Sequence, residues 1–309
     1  MRDESASDLE YLGNRKHVEV AERQTQLRIG RLAAGKTGSS AAVRYAFIAR
    51  PDPSDGPPAL ARILRGGGGR GGAVRLKLYL SLLWLSRGQD SPVHAYPAGQ
   101  LAALIGLPGA ATAGARRIQE SLKWLESAGF VALDRRRGDA TRVHVLDDAG
   151  SGRPYKDAGA LSARKPKGSK VSEKERSKHY YVQLKSGFWS SGWVRELSGA
   201  AVAMYLTMLH EQGNRVGESV WVSPRIARER YDLSDETRGK GLRELVDAAL
   251  LTRSSKPVPN LSFFDERYRG RSEYTILPEA LDRTRPASFR FDDTSHRDPF
   301  AELDDLTGW

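Results

Sequence analysis

The sequence predicts an α+β, mainly helical chain in which one unit, three helices closed by a β-hairpin, occurs twice in tandem. Three observations carry that expectation. Apolar residues recur at helical spacing in Tyr79-Leu80-Ser81-Leu82-Leu83 and again, 126 positions later, in Tyr205-Leu206-Thr207-Met208-Leu209. The stretch RRIQESLKWLESAGFVAL (116–133) aligns with ETRGKGLRELVDAALLTR (236–253) at a spacing of 120. In that alignment Leu122 matches Leu242, Leu125 matches Leu245, Ala128 matches Ala248, and Phe130-Val131 matches Leu250-Leu251. Between the copies lies 149–178, with nine Lys/Arg against three acids and almost nothing to bury, which reads as a flexible basic linker.

In the first copy Tyr45-Ala46-Phe47-Ile48 reads as a short leading strand. A first helix follows over 73–87. Ala95-Tyr96-Pro97 is a short strand ending at a helix-starting proline, and the second helix runs over 97–105. The turn Gly106-Leu107-Pro108-Gly109 leads into a third helix at about 110–128. Strands 130–134 and 141–146 flank a tip of Arg135-Arg136-Arg137-Gly138-Asp139.

The second copy repeats that order. Tyr180-Tyr181-Val182-Gln183-Leu184 is its leading strand, and Phe188, Trp189 and Trp193 form a packed corner before a first helix at 198–211, N-capped by Ser198. Trp221-Val222-Ser223-Pro224 is the short strand and helix start, and the second helix spans 224–231. Asp232-Leu233 turns the chain into a third helix N-capped by Ser234, with Asp235 and Glu236 in its first turn, where they suit the helix dipole. A long hairpin, 250–277, carries Arg253, Lys256, Arg267, Arg269 and Arg271.

The string S-D-E-T-R-G-K-G-L-R-E-L-V-D-A-A-L-L resembles the recognition helix and first wing strand of bacterial winged-helix proteins, and 97–134 is similar. The resemblance implies two winged helix-turn-helix units in tandem. The expected divisions are a basic N-terminal arm (1–41), a first winged-helix domain (42–148), the linker (149–178), a second winged-helix domain (179–279) and an acidic tail (280–309). Two such units in a chain of this size resemble the replication initiators of bacterial plasmids.

Charge agrees with a polyanionic partner. The chain of 309 residues carries a net +11, which points to nucleic acid or an anionic membrane. Over 278–309 eight acids face four arginines, so this tail is −4 and the remainder +15. The tail is a candidate site for a protein partner. The apolar stretches, such as 76–85, fall well short of the roughly 20 residues that span a bilayer, so no membrane partner is expected. The polar, acidic opening MRDESASDLE does not read as a signal peptide, and zero cysteines exclude a disulfide scaffold and a thiolate zinc site. The cytoplasm is the expected compartment.

In a helix-turn-helix the third helix lies in the major groove and the wing follows the backbone or minor groove. Projecting 112–127 puts Ala115, Ile118, Leu122 and Leu125 on one face and Arg116, Arg117, Glu120 and Lys123 on the other. In the second copy Leu242, Leu245, Val246 and Ala249 face inward while Thr237, Lys240 and Arg243 project outward. The expected contacts to double-stranded DNA are therefore Arg116, Arg117 and Lys123, Thr237, Lys240 and Arg243, with Arg135, Arg136, Arg137, Arg267, Arg269 and Arg271 on the wings. Arginine suits guanine bidentately and lysine suits phosphate. Arg164-Lys165-Pro166-Lys167 adds charge to the linker.

Other signals point elsewhere with less support. Gly30-Arg31-Leu32-Ala33-Ala34-Gly35-Lys36-Thr37 fits the phosphate-binding loop of nucleotide hydrolases. The polar AERQTQLRI before it is no buried strand, however, and no alternating strand–helix series follows. The six histidines have neither i,i+2 nor i,i+4 spacing, so they suggest no metal site. Tyr180-Tyr181 without a metal cluster reads as a strand of core aromatics rather than a nicking pair. The expectation is a sequence-specific DNA-binding protein, not an enzyme and without a cofactor, serving replication or transcription control; the sequence sets no oligomeric state.

Overall fold

Tyr79 and Tyr205, the residues that open the repeat, sit in two helices that are buried on almost every side. In the computed structural model, which describes residues 40–66, 71–158, 180–259 and 268–283, these are α3 (Gly72–Leu85) and α8 (Gly199–Gln212). Both carry apolar side chains all round, the pattern of a helix enclosed by its own protein.

The first half begins with β1 (Ala41–Arg44), α1 (Tyr45–Ile48) and α2 (Ala59–Arg65) before α3. Strand β2 (Val93–His94), helix α4 (Ala98–Leu104), a π-helical turn (Ala110–Gly114) and α5 (Ala115–Ser127) follow. The half closes with β3 (Val131–Asp134) and β4 (Arg142–Val145). The second half runs β5 (Tyr181–Leu184), α6 (Gly187–Ser190), α7 (Trp193–Glu196), α8, α9 (Pro224–Tyr231), α10 (Asp235–Asp247), β6 (Leu251–Pro259), β7 (Tyr268–Ile276) and α11 (Ala280–Arg283). The architecture is α+β, with helices outweighing small antiparallel sheets.

Sheet topology repeats as well as element order. In the first half β4 lies between β2 and β3, with Val93 opposite His144 and Leu133 opposite Val143. In the second half β7 pairs with β6, and Val220 bridges Tyr274 of β7 from the other side. Each time, the segment between the first two helices of the unit joins the returning strand of the hairpin.

The halves are joined through equivalent parts. β1 pairs with β5 antiparallel, Ala41 opposite Leu184 and Arg44 opposite Tyr181, and α3 packs on α8. Antiparallel pairing of β1 with β5 makes this strand pair locally two-fold symmetric. Trp84 of α3 stacks on Trp189 of α6 at 4.7 Å with an interplanar angle of 4°, and the Trp189 indole N–H donates to Ser81 Oγ at 3.0 Å. The buried apolar residues of both halves form one continuous cluster. Phe188, Trp189 and Trp193 are all in it, as the corner expectation requires.

Several details differ from the sequence reading. Residues 45–48 form a helical turn rather than a strand: Phe47 and Ile48 are both fully buried, which alternation on one sheet face would not allow, and Ala49 N–H closes the turn on the Tyr45 carbonyl at 2.8 Å. The strand falls just before, on alanines that carry little β signal. The third helix of the first half is not continuous from 110. Gly109 is left-handed, and the Gly114 N–H reaches the Gly109 carbonyl at 2.8 Å, an i to i+5 bond that makes the π turn. Ala249 is exposed at φ 54° rather than inward, because α10 ends at Asp247 and half-buried Ala248 packs on the core instead.

The first ten residues assigned to the linker are part of the folded first half. Tyr155 and Ala158 are buried. Arg44 pairs with fully buried Asp148 at 2.6 Å and lies over the Tyr155 ring at 5.3 Å. Buried Tyr155, the Leu146–Pro154 bridge and the Ser91 N–H bond to the Tyr155 carbonyl hold a stretch whose composition reads as a spacer. Residues 159–178, the arm over 1–39 and the tail from 284 lie outside the described residues.

Candidate nucleic-acid interface

Helix α5 is held by Ile118, Leu122 and Leu125, all buried, and it turns Arg116, Arg117, Glu120 and Lys123 to solvent as its projection predicts. Ala115, expected inward, is half-buried. Arg116 Nε meets Glu120 Oε1 at 3.2 Å along the helix, an exposed i,i+4 pair worth about 0.3–0.5 kcal/mol. Among the described residues Arg117 and Lys123 have no ion pair, so their charge is available to a partner.

The hairpin of the first half is fixed to α5 by a residue that the sequence did not mark. Glu126 accepts the Leu133 N–H at 3.1 Å and the Arg135 guanidinium at 2.6 Å. The hydrogen bond from Arg135 holds the Glu126 carboxyl below its ordinary pKa. Arg136 pairs with Asp134 at 3.2 Å. Arg137, exposed at the tip before Gly138, has no ion pair among the described residues. Of the three tip arginines, Arg135 is therefore braced against α5, Arg136 is paired within the hairpin itself, and Arg137 has no ion pair among the described residues.

Helix α10 occupies the equivalent place in the second half. Ser234 caps it, its Oγ accepting the Thr237 N–H at 3.1 Å, and Leu242 and Leu245 are buried while Val246 is half-buried. Gly241 lets the helix lie close to α8: a Cβ there would fall 2.4 Å from the Ala200 carbonyl oxygen. Many of its polar residues are engaged inside the protein. Asp235 pairs with Arg228 at 2.6 Å, Arg238 Nε donates to the Val222 carbonyl at 2.8 Å, and Glu244 accepts from the Ser198 N–H at 2.6 Å. Lys240 and Arg243 are exposed, Arg243 Nε reaching only the Gly239 carbonyl of its own helix at 3.3 Å. Thr237 is half-buried, its hydroxyl 2.9 Å from Ser234 Oγ.

The chain matches no family model, and no curated protein matches it.

On the second hairpin Arg271 is not a free cation. It pairs with Glu273 and lies over the Trp221 ring at 4.7 Å, with Lys256 directly opposite on β6. Arg253 donates to Ser272 Oγ at 2.9 Å. Arg269 falls opposite Val258 in the β-ladder, and Arg267 lies outside the described residues, as do Gly30–Thr37 and Arg164–Lys167. Arg116, Arg117, Lys123 and the hairpin tip 135–137 thus lie in the first half, and Thr237, Lys240 and Arg243 share α10 in the second.

No group of three or more His, Asp or Glu side chains among the described residues is placed to hold a metal ion. No helix among them is long and apolar enough to cross a membrane. Two histidines have local structural partners: His94 Nε2 lies 2.7 Å from Ser86 Oγ, and His210 Nδ1 lies 2.7 Å from the Tyr231 hydroxyl. Burial lowers the pKa of His210 to about 4.

Proposed function

We propose that this chain is a sequence-specific duplex-DNA-binding protein whose two halves are winged helix-turn-helix units, with α5 and α10 as the reading helices and the two hairpins as wings. The observation that carries the reading is the repeated topology: in both halves a longer amphipathic helix (α5, α10) follows a shorter one (α4, α9), and the returning strand of the hairpin behind it is met from its other side by the segment preceding the shorter helix, as strand β2 in the first half and as a single bridge at Val220 in the second. The cations on α5 and the first hairpin supply what a phosphate backbone needs. Major-groove contacts fall to Arg116, Arg117 and Lys123 in one unit and to Thr237, Lys240 and Arg243 in the other.

The biological role in this reading is replication initiation on a plasmid or similar mobile element. Two unlike reading helices in one chain suit an asymmetric repeat bound by a single molecule. The purified protein should bind duplex DNA with an affinity that falls steeply with salt, and it should support replication of a plasmid carrying the bound repeats. Binding that represses a promoter without supporting replication would make it a transcription regulator. No ATP turnover above background is expected, and Lys36→Ala should leave DNA binding unchanged; a turnover abolished by that substitution would overturn the non-enzyme reading. DNA binding that is absent, or independent of salt, would remove the proposal altogether.

A further inference from the structure

Two arginines of the first half close on the helix–helix turn of the second. Helix α9 ends at Tyr231, and Asp232 follows at φ 54° and ψ 39°, a left-handed conformation that Asp and Asn tolerate better than other non-glycine residues. The last carbonyls of a helix lack intrahelical donors and favour cations nearby. Here the donors come from across the junction. The Arg50 N–H donates to the Arg230 carbonyl at 2.9 Å, Arg50 Nη1 to the Glu229 carbonyl at 3.2 Å, and Arg65 Nη2 to the Asp232 carbonyl at 2.6 Å. The Asp232 carboxylate then meets Arg50 Nη2 at 2.9 Å and forms a second ion pair with Arg65. Asp232 and Arg50 are about four-fifths buried, at 19% and 18% side-chain exposure, so this pairing is less screened than a surface pair.

The reverse contact holds the equivalent turn of the first half. Gly106, at φ 74° just after α4, lies so close under Arg195 of α7 that a Cβ there would fall 2.7 Å from the Arg195 Cβ. Lys77 of α3 donates to the Arg195 carbonyl at 3.2 Å. Each helix–helix turn is therefore gripped by the opposite half, and the second is gripped by charge.

Resting on the DNA reading above, we propose that Asp232, with Arg50 and Arg65, is a positioning device that sets the separation and angle between α5 and α10, so that the chain selects half-sites by their spacing as well as by their bases. One inserted base pair moves the second half-site by about 3.4 Å and rotates it by about 36°, since a turn of about 10 base pairs spans about 34 Å. A turn held by two cations cannot follow that shift without breaking them. A turn that has lost the two ion pairs keeps only the carbonyl hydrogen bonds from Arg50 and Arg65 on this side of the junction and yields more readily.

The variant to use is Asp232→Asn, which keeps a side chain suited to the left-handed backbone and removes the charge; Arg65→Gln removes the pairing from the other side. Binding is measured on duplexes carrying both selected half-sites at the native spacing, with one inserted base pair, and with each half-site alone. The parent protein should lose about tenfold in affinity on the one-base-pair insertion, within the usual cost of one wrong base pair. Both variants should lose about threefold or less on the insertion, while their affinity for a single half-site stays within about twofold of the parent's, since no reading residue has changed.

A second measurement needs no DNA. The chain has no cysteine, so Ser127→Cys and Asp247→Cys, exposed at the ends of α5 and α10, can carry a pair of spin labels. The label distance should be narrowly distributed in the parent protein and broadened or displaced by Asp232→Asn. An unchanged distribution together with unchanged spacing discrimination overturns the inference and leaves DNA reading intact. A broadened distribution in a protein that binds no DNA keeps the positioning role and defeats the DNA reading instead.

Discussion

Helices α5 and α10 hold equivalent places in the two halves and use their charges differently. On α5 the cations face solvent: among the described residues Arg117 and Lys123 have no ion pair, and Arg116 pairs with the exposed Glu120 of its own helix. On α10 the first-turn acid pairs with Arg228, Arg238 serves the Val222 carbonyl, and Glu244 fixes the start of α8. Both helices leave cations exposed, Arg116, Arg117 and Lys123 on α5 and Lys240 and Arg243 on α10, but α10 commits more of its charged side chains to contacts inside the protein. Under the proposed DNA reading, the first unit should supply the larger share of the salt-sensitive affinity, while each unit contributes the base preference of its own half-site.

The junction is also unlike on its two sides. Trp84 and His210 are equivalent by the 126-residue offset of the repeat. Trp84 packs on Trp189 in a buried stack, whereas His210 meets Tyr45 edge-on at 4.4 Å and bonds to Tyr231. The largest expected effect tests whether the halves are one folding unit. Trp189→Ala should cost roughly 3–5 kcal/mol, the usual range for a buried tryptophan. In urea, signals from both halves should shift together; two separated transitions would show that the shared core does not couple them.

The next effect distinguishes the histidine side. His210 has a folded pKa of about 4, below imidazole's ordinary 6.5, first because it is buried and then because Arg230 is near. The unfolded chain takes the proton first as pH falls. Stability is therefore full above about pH 6.5 and declines toward pH 4, by on the order of 3 kcal/mol. Urea midpoints at pH 7 and pH 4.5 should differ strongly in the parent and much less in His210→Gln. An equally steep decline in the variant would assign the acid sensitivity to another group.

A smaller effect compares the two hairpins. Arg137→Gln should reduce the slope of log affinity against log salt by about 0.9, the value of one lost phosphate contact. Arg271→Gln should change that slope less, because Arg271 already pairs with Glu273 and lies on Trp221. Equal changes would show that the ion pair opens on binding.

Much of the fold was legible because the repeat doubled each weak signal. The apolar stripe of Ile118, Leu122 and Leu125, the caps Ser198 and Ser234, and the proline at the start of α9 are local features, and the helices stand where these place them. What was illegible depends on distant partners. Nothing near Asp232 announces Arg65, 167 residues away, and nothing in the basic composition after position 149 announces that Tyr155 is buried. Glu126 resembles any exposed acid of an amphipathic helix until the hairpin folds back on it. Nor does the sequence, which shows only a basic linker between the copies, announce that β1, β5 and the tryptophan stack join them directly.

The central claim is that two unlike readers are mounted on one frame. Selection of bound duplexes from a random pool tests it most directly, carried out with the parent protein, with Arg116→Ala plus Arg117→Ala, and with Lys240→Ala plus Arg243→Ala. The account predicts a bipartite, non-palindromic consensus at one fixed spacing. The first double variant should relax base preference in one half only, each lost bidentate contact removing about 1–3 kcal/mol of discrimination, and the second variant should relax the other half. A palindromic consensus in which either double variant weakens both halves equally would contradict the account, because it would mean that two copies of one unit read the site through a symmetric dimer.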